Sequence, residues 1–245
     1  MGDCSDIRVG VLVPAGNRVH EREFNRLNPA GVNFRFGGFS YPRAGSSSFC
    51  DDLVTQFSQP IQELTGWGAN LVLIGCTTAS MTCADEAYIA KLQAIAGVPV
   101  ITAASASREA INALGARSVS VATPYGELNN RIIAEFLKSI GVEVAAMQGL
   151  DLDRSVETWL AGQPTLTPQR VLDLSLSVDV EQAQALYLPC TGMSSLEAIE
   201  MFERQTGKAA FSSVQAGYWA SLRRLGLDGR QSGNGRLLEL WDFPA

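Results

Sequence analysis

Twice along this chain a short, wholly apolar run stops at a cysteine followed by small hydroxyl or glycine residues. The first copy is Leu71-Val72-Leu73-Ile74-Gly75-Cys76-Thr77-Thr78, the second Ala185-Leu186-Tyr187-Leu188-Pro189-Cys190-Thr191-Gly192. A continuous apolar run of this length reads as a strand buried on both faces, as in a parallel sheet covered by helices. Ligands in open α/β sheets bind beyond the carboxyl ends of such strands. Each thiol therefore stands where a ligand would sit.

The surroundings of the two cysteines repeat as well. Ile7 to Val13 reads as a strand that breaks at Pro14-Ala15-Gly16-Asn17, and Val119 to Ala122 as one that ends in Thr123-Pro124-Tyr125-Gly126. The first strand is followed by a polar helix over Arg18 to Arg26 and a strand over Val32 to Phe39. Next come a glycine- and serine-rich loop over Tyr41 to Ser48, suited to a lid or a plain connection, and a helix over Asp51 to Gly66. Pro60 is expected to kink or break that helix. After Cys76 the pattern predicts a helix from about Ala84, a strand over Val98 to Thr102 and a helix over Ser105 to Leu114.

The second round repeats this order. It has a helix from about Leu128, a strand over Val142 to Met147, helices near Val156 to Ala161 and Pro168 to Asp179, and a helix and short strand after Cys190. Val9 precedes Cys76 by 67 positions and Val121 precedes Cys190 by 69. The expected fold is α/β: two pseudo-symmetric lobes with mainly parallel sheets flanked by helices. Residues 1–116 would carry Cys76 and residues 117–245 Cys190, with the helix from Gln215 crossing back to the first lobe.

The 245 residues have a net charge of -6 and no basic run, which argues against a nucleic-acid partner. No apolar stretch has membrane-spanning length, and Met1 to Gly10 has neither the charged start nor the apolar centre of a signal peptide. A cytoplasmic protein is the expectation. The five cysteines (Cys4, Cys50, Cys76, Cys83 and Cys190) are odd in number and scattered, unlike a secreted disulfide framework. Cysteine and histidine do not cluster as a metal site requires, so no metal is expected. A Ser-His or Cys-His hydrolase would rest on His20 alone, beside Glu21 and Glu23. Apolar residues near the C-terminus (Leu237, Leu238, Trp241, Phe243) would cover either the first lobe or a partner copy in a homo-oligomer.

A free cysteine is most often a small buried hydrophobe, and that reading is kept for Cys4, Cys50 and Cys83. The repeated Cys-Thr lifts Cys76 and Cys190 out of it as catalytic candidates. Two thiols across a planar carbon can remove and return a proton. Alternatively, one thiolate adds to an activated double bond while the other thiol handles the proton. A nucleophilic Cys76 predicts a depressed thiol pKa. Thr77, Thr78, Thr191 and Gly192 follow the cysteines where hydroxyls and helix-start N–H groups can hold a carboxylate or enolate. Asn17 and Tyr125 end the opening strand of each round and are substrate-binding candidates. Asn17 could equally be a turn or cap residue, and Tyr125 an aromatic with its hydroxyl in solvent.

These residues resemble the aspartate/glutamate racemase superfamily, in the branch of maleate cis-trans isomerases and arylmalonate decarboxylases. The resemblance rests on the first strand with Asn17, Cys76-Thr77, Ala122-Thr123-Pro124-Tyr125, Pro189-Cys190-Thr191-Gly192 and Ala216-Gly217-Tyr218-Trp219. It implies two facing lobes, no cofactor and a small carboxylate in the cleft. The decarboxylases carry glycine at the position of Cys76, so two thiols resemble the isomerase or racemase pattern. By that resemblance Cys76 adds to the alkene and Cys190 handles the proton. Where the isomerases place a second substrate-binding asparagine, this chain reads Leu150-Asp151-Leu152-Asp153-Arg154, and an acidic group there would repel a second carboxylate. Ala216 to Leu225 and Gly233 to Leu238 look more like the decarboxylases. The competing readings are a decarboxylase or racemase of an α-substituted acid using Cys190, and a non-catalytic carboxylate-binding protein.

Overall fold

The computed structural model describes residues 7–42, 48–153 and 156–241. Cys4, Arg154, Phe243 and the centre of the loop read as a lid or connection lie outside the described residues. The apolar runs form strands because each is covered on both faces. Ile7–Pro14 (β1), Val32–Phe39 (β2), Leu71–Ile74 (β3) and Val100–Thr102 (β4) make one parallel sheet in the order β2-β1-β3-β4. Ser118–Thr123 (β5), Glu143–Gly149 (β6), Ala185–Leu188 (β7) and Ala209–Ser212 (β8) make a second parallel sheet, β6-β5-β7-β8. The same order in both sheets puts a reversal of winding between β1 and β3 in one and between β5 and β7 in the other. Crevices open at such switch points. Asn17 and Cys76 flank the first, Tyr125 and Cys190 the second.

Helices fill the connections: Arg18–Leu27 (α1), Phe49–Gly66 (α2), Thr77–Thr82 (α3), Glu86–Ala96 (α4) and Ala103–Ala113 (α5) in the first round. Glu127–Ser139 (α6), Val156–Gly162 (α7), Pro168–Ser177 (α8), Leu196–Thr206 (α9) and Ser213–Arg224 (α10) follow in the second. α2 runs on through Pro60, against the expected break. Its buried stripe of Leu53, Phe57, Ile61 and Leu64 outweighs the single backbone bond that proline removes. α3 supplies the helix start expected just after Cys76, although Thr77-Thr78-Ala79-Ser80 carries no helical hydrophobic period and the pattern places the next helix only from about Ala84. α4 starts later than expected, capped by the Asp85 carboxylate, which accepts from the Tyr88 N–H at 2.6 Å.

Separate apolar clusters lie under α2 and α4 on the outside of the first sheet and under α8 and α9 on the outside of the second. A third is shared by the lobes and includes Val9, Leu73, Val121 and Tyr187 with α5 and α10. α10 is buried from Ser213 to Leu222. It crosses to the first lobe, where a side chain on Gly217 would meet Leu73 at 2.9 Å and Tyr218 packs edge-on against Phe24. Leu237 and Leu238 are fully buried within the chain, and the Trp219 indole donates to the Leu240 carbonyl at 2.7 Å. Leu237 and Leu238 therefore cover their own chain.

Candidate active site

Cys76 follows β3 by two residues and is the N-cap of α3. Cys190 follows β7 by two residues, and its sulfur accepts from the Gly192 N–H at 3.3 Å. Both are buried, at 2% and 1% exposure. A hydrogen-bonded chain joins their loops across the lobes. The Asn17 amide donates to the Thr191 hydroxyl at 3.2 Å, and that hydroxyl donates to the Gly75 carbonyl at 3.0 Å. Asn17 also accepts from the His20 N–H at 3.3 Å, so it is both a helix cap and a neighbour of the second thiol loop.

Each thiol has a tyrosine beside it. The Tyr41 hydroxyl lies 2.7 Å from the Cys76 sulfur, and the Tyr125 hydroxyl faces Cys190 closely enough to favour its thiolate. Tyr125 is half-buried with its hydroxyl turned inward, against the reading that left it in solvent. The buried Thr77 hydroxyl has no hydrogen-bond partner. An orphaned buried hydroxyl is a group that a ligand oxygen would satisfy. The sequence candidates Asn17, Thr77, Thr78, Tyr125, Thr191 and Gly192 thus gather with Cys76 and Cys190 in one interlobe cleft.

Tyr41, Trp159, Gln163 and Asp153 join them without having been singled out as site residues. Trp159 stacks on Tyr125 with centroids 6.0 Å apart, and a side chain on Gly192 would fall 2.6 Å from its ring and 2.8 Å from the Gln163 amide. Only glycine fits there. Asp153, expected to repel a second carboxylate, also has a local role. It accepts from the Gly126 N–H at 2.6 Å and from the Asn129 amide, serving the start of α6. No hydrophobic period marks any of these residues. Only the acidic run around Asp153 draws notice in the sequence.

Burial pushes the Cys76 thiol above its ordinary value, opposed by hydrogen bonds from Tyr41, the Ala79 backbone and Thr78. This corrects the expected depression: within the assembled cleft, desolvation outweighs the donors. Cys190 is pushed up to about 12 by burial, against hydrogen bonds from Tyr125 and Gly192, with the charges of Cys76 and Asp153 adding to the rise. Burial also holds Tyr41 and Tyr125 well above the ordinary phenol value. His20 is fully buried behind Gly75, its pKa lowered to about 3 by desolvation, so the neutral imidazole is a packing group. Among the described residues no group of three or more His, Cys, Asp or Glu is placed to hold a metal ion. No described helix is long and apolar enough to cross a membrane. An open groove of about 540 Å³ between α1 and the start of α8 is lined by Arg18, Arg22 and Thr167; it holds neither thiol and lies apart from this chemistry.

A family model described as arylmalonate decarboxylase matches residues 9–238. The chain belongs to the arylmalonate decarboxylase family. Within and around that family its relatives have two activities. It is 26% identical to the maleate isomerase of Nocardia farcinica over 244 residues, covering 94% of this chain and 95% of that enzyme. It is 25% identical to the arylmalonate decarboxylase of Bordetella bronchiseptica over 248 residues, covering 98% and 99%. The crystal structure of the maleate isomerase Iso from Pseudomonas putida S16 matches with a TM-score of 0.83 at 26% identity, covering 96% of this chain and 99% of that one. The two-lobed architecture of this family is therefore also that of a maleate isomerase.

Proposed function

We propose that this chain is a cofactor-independent cis-trans isomerase of a small unsaturated carboxylate, with maleate as substrate and fumarate as product. The observation that carries the reading is the pair of buried thiols, one from each lobe, Cys76 in contact with the Tyr41 hydroxyl and Cys190 faced by Tyr125. Cys76, at the N-terminus of α3 and with the Tyr41 hydroxyl at its sulfur, is the better placed to act as an anion. Cys190, held up to about 12, keeps its proton and suits the acid role.

In this reading the Cys76 thiolate adds to one alkene carbon. The π pair moves to the other alkene carbon and onto its carboxylate, and Cys190 protonates that carbon. Thr77 and Thr78 hold the carboxylate that carries the charge, Thr191 and Gly192 fix the loop of the second thiol, and Asn17 and Tyr125 orient the substrate. The former double bond is now single and rotates. Cys190 takes the proton back, the carbon–sulfur bond breaks and the trans alkene leaves.

A second reading is supported by the aromatic and acidic wall beside Cys190, formed by Tyr125, Trp159 and Asp153. That wall suits an α-aryl group better than a second carboxylate. In this case the enzyme decarboxylates or racemises an α-substituted acid, and Cys190 protonates an enediolate. Proton NMR with maleate, without thiol reductant, separates the two. Growth of fumarate, abolished by Cys76→Ala and separately by Cys190→Ser, supports the isomerase. No change with maleate, together with turnover of an α-arylmalonate that survives Cys76→Ala, overturns it in favour of the second reading.

A further inference from the structure

Tyr41 belongs to none of the motifs that point to the cleft, yet its hydroxyl is 2.7 Å from the Cys76 sulfur. Half of the residue is exposed, but the hydroxyl end is turned inward. The ring packs edge-on against Phe39, the last residue of β2, which packs in turn on Phe57 of α2. The other side of the contact is also tied down. Cys76 caps the start of α3 and Cys83 its end, and Cys83 is disulfide-bonded to Cys50 in the first turn of α2. The helix that presents the thiol is thereby fastened to the same α2 that supports Tyr41 through Phe39.

We propose that Tyr41 is a catalytic residue whose hydroxyl donates to the Cys76 sulfur and stabilises it as the anion that adds to, and later leaves, the substrate carbon. The proposal rests on Cys76 being the nucleophile. The direction of the bond follows from the groups. A thiol is a weak donor and a phenol a good one, and Tyr41 keeps its proton because burial holds its pKa well above the ordinary value. When the Cys76 proton departs to water, the bond becomes charge-assisted and roughly doubles in strength. When the carbon–sulfur bond forms, the sulfur becomes a thioether, a poor acceptor, and the hydroxyl is released. When that bond breaks, the electron pair returns to sulfur and the hydrogen bond re-forms. Tyr41 thus acts on the expulsion step as much as on the addition.

A donor that lowers a thiol's pKa by one unit raises its thiolate fraction about tenfold below that pKa. It weakens the intrinsic nucleophilicity only about threefold, on a Brønsted slope near one half. The net effect of Tyr41 on the addition step is therefore a gain of about threefold, with a further gain in expulsion.

The test compares the protein with its Tyr41→Phe variant, disulfide intact and without reductant. Cys76 and Cys190 are labelled with iodoacetamide as a function of pH, and each site is read by peptide mass. The expected result is a Cys76 midpoint raised by about one unit with Cys190 unmoved, together with a fall in kcat for fumarate formation of about threefold or more and a near-constant KM. A Cys76 profile that does not move, in a variant whose Cys190 profile matches the parent, overturns the proposal. If the parent forms no fumarate, the isomerase reading fails, and the labelling profile still decides whether Tyr41 controls the Cys76 sulfur.

Discussion

The Thr191 hydroxyl donates to the carbonyl of Gly75 at 3.0 Å, so the residue after the second thiol holds the residue before the first. The bond is buried and spans 116 positions of sequence. The relative placement of the two sulfurs is set by polar groups that belong to opposite lobes.

Replacing Thr191 by Val removes the donor to Gly75 and the acceptor for Asn17 while keeping the shape. A buried carbonyl left without its partner costs about 1–3 kcal/mol. Denaturant unfolding should show that loss, with maleate turnover down about tenfold or more if one such bond sets the sulfur-to-sulfur placement. Thr191→Ser, which keeps both bonds, should restore most of each. An unchanged rate in the Val variant would separate the lobe contact from catalysis.

His20 makes stability depend on pH. Its folded pKa, about 3, lies below the ordinary 6.5, so between those values the unfolded chain binds more protons and stability falls as pH falls. The buried Glu23 carboxylate is pushed up by desolvation and acts in the opposite sense on the acid side, where its protonation favours the folded chain. His20→Leu removes the first effect and leaves the second. Between pH 7 and pH 5 the parent should lose roughly 2 kcal/mol relative to the variant. Parallel stability curves for the two proteins would show that His20 does not titrate on unfolding.

The bridge between Cys50 and Cys83 closes a loop of sequence separation 33. Chain-entropy arguments give such a crosslink about 3–4 kcal/mol. The Cys50→Ser/Cys83→Ser double variant should unfold at correspondingly lower denaturant, and reductant should move the parent to the same midpoint without affecting the variant. An equal midpoint for oxidised parent and double variant would count against the bridge as a stabilising element.

Much of this is readable because parallel sheets leave a simple trace. β3 and β7 are fully buried, so their sequences are unbroken apolar runs and their cysteine ends stand out. The pairing of β1 with both β2 and β3 follows from the repeat. What escapes depends on contacts between distant residues. Tyr41 and Trp159 each precede or follow a segment without hydrophobic period, and their neighbours Cys76 and Gly192 lie far along the chain. The Cys50–Cys83 bridge, between residues set apart only as structural cysteines, has no spacing signature. α3 escapes for a related reason: it is buried against α5 and α6, and the Ser80 hydroxyl that accepts from the Ala104 N–H leaves no hydrophobic period in the sequence. The expected low pKa of Cys76 fails because desolvation is a property of the assembled cleft.

Glu23 lies on α1 of the first lobe, yet its buried carboxylate accepts from the N–H groups of Ser195 and Leu196, which open α9 just beyond the second thiol. Ser195 supplies no side-chain cap of its own. On the ribosome, Glu23 is made 172 residues before its partner. The start of α9, beside Cys190, is therefore satisfied by a carboxylate made long before the helix itself. The helix start beside the second thiol thus waits for nothing downstream of it: its partner on the first lobe has already emerged.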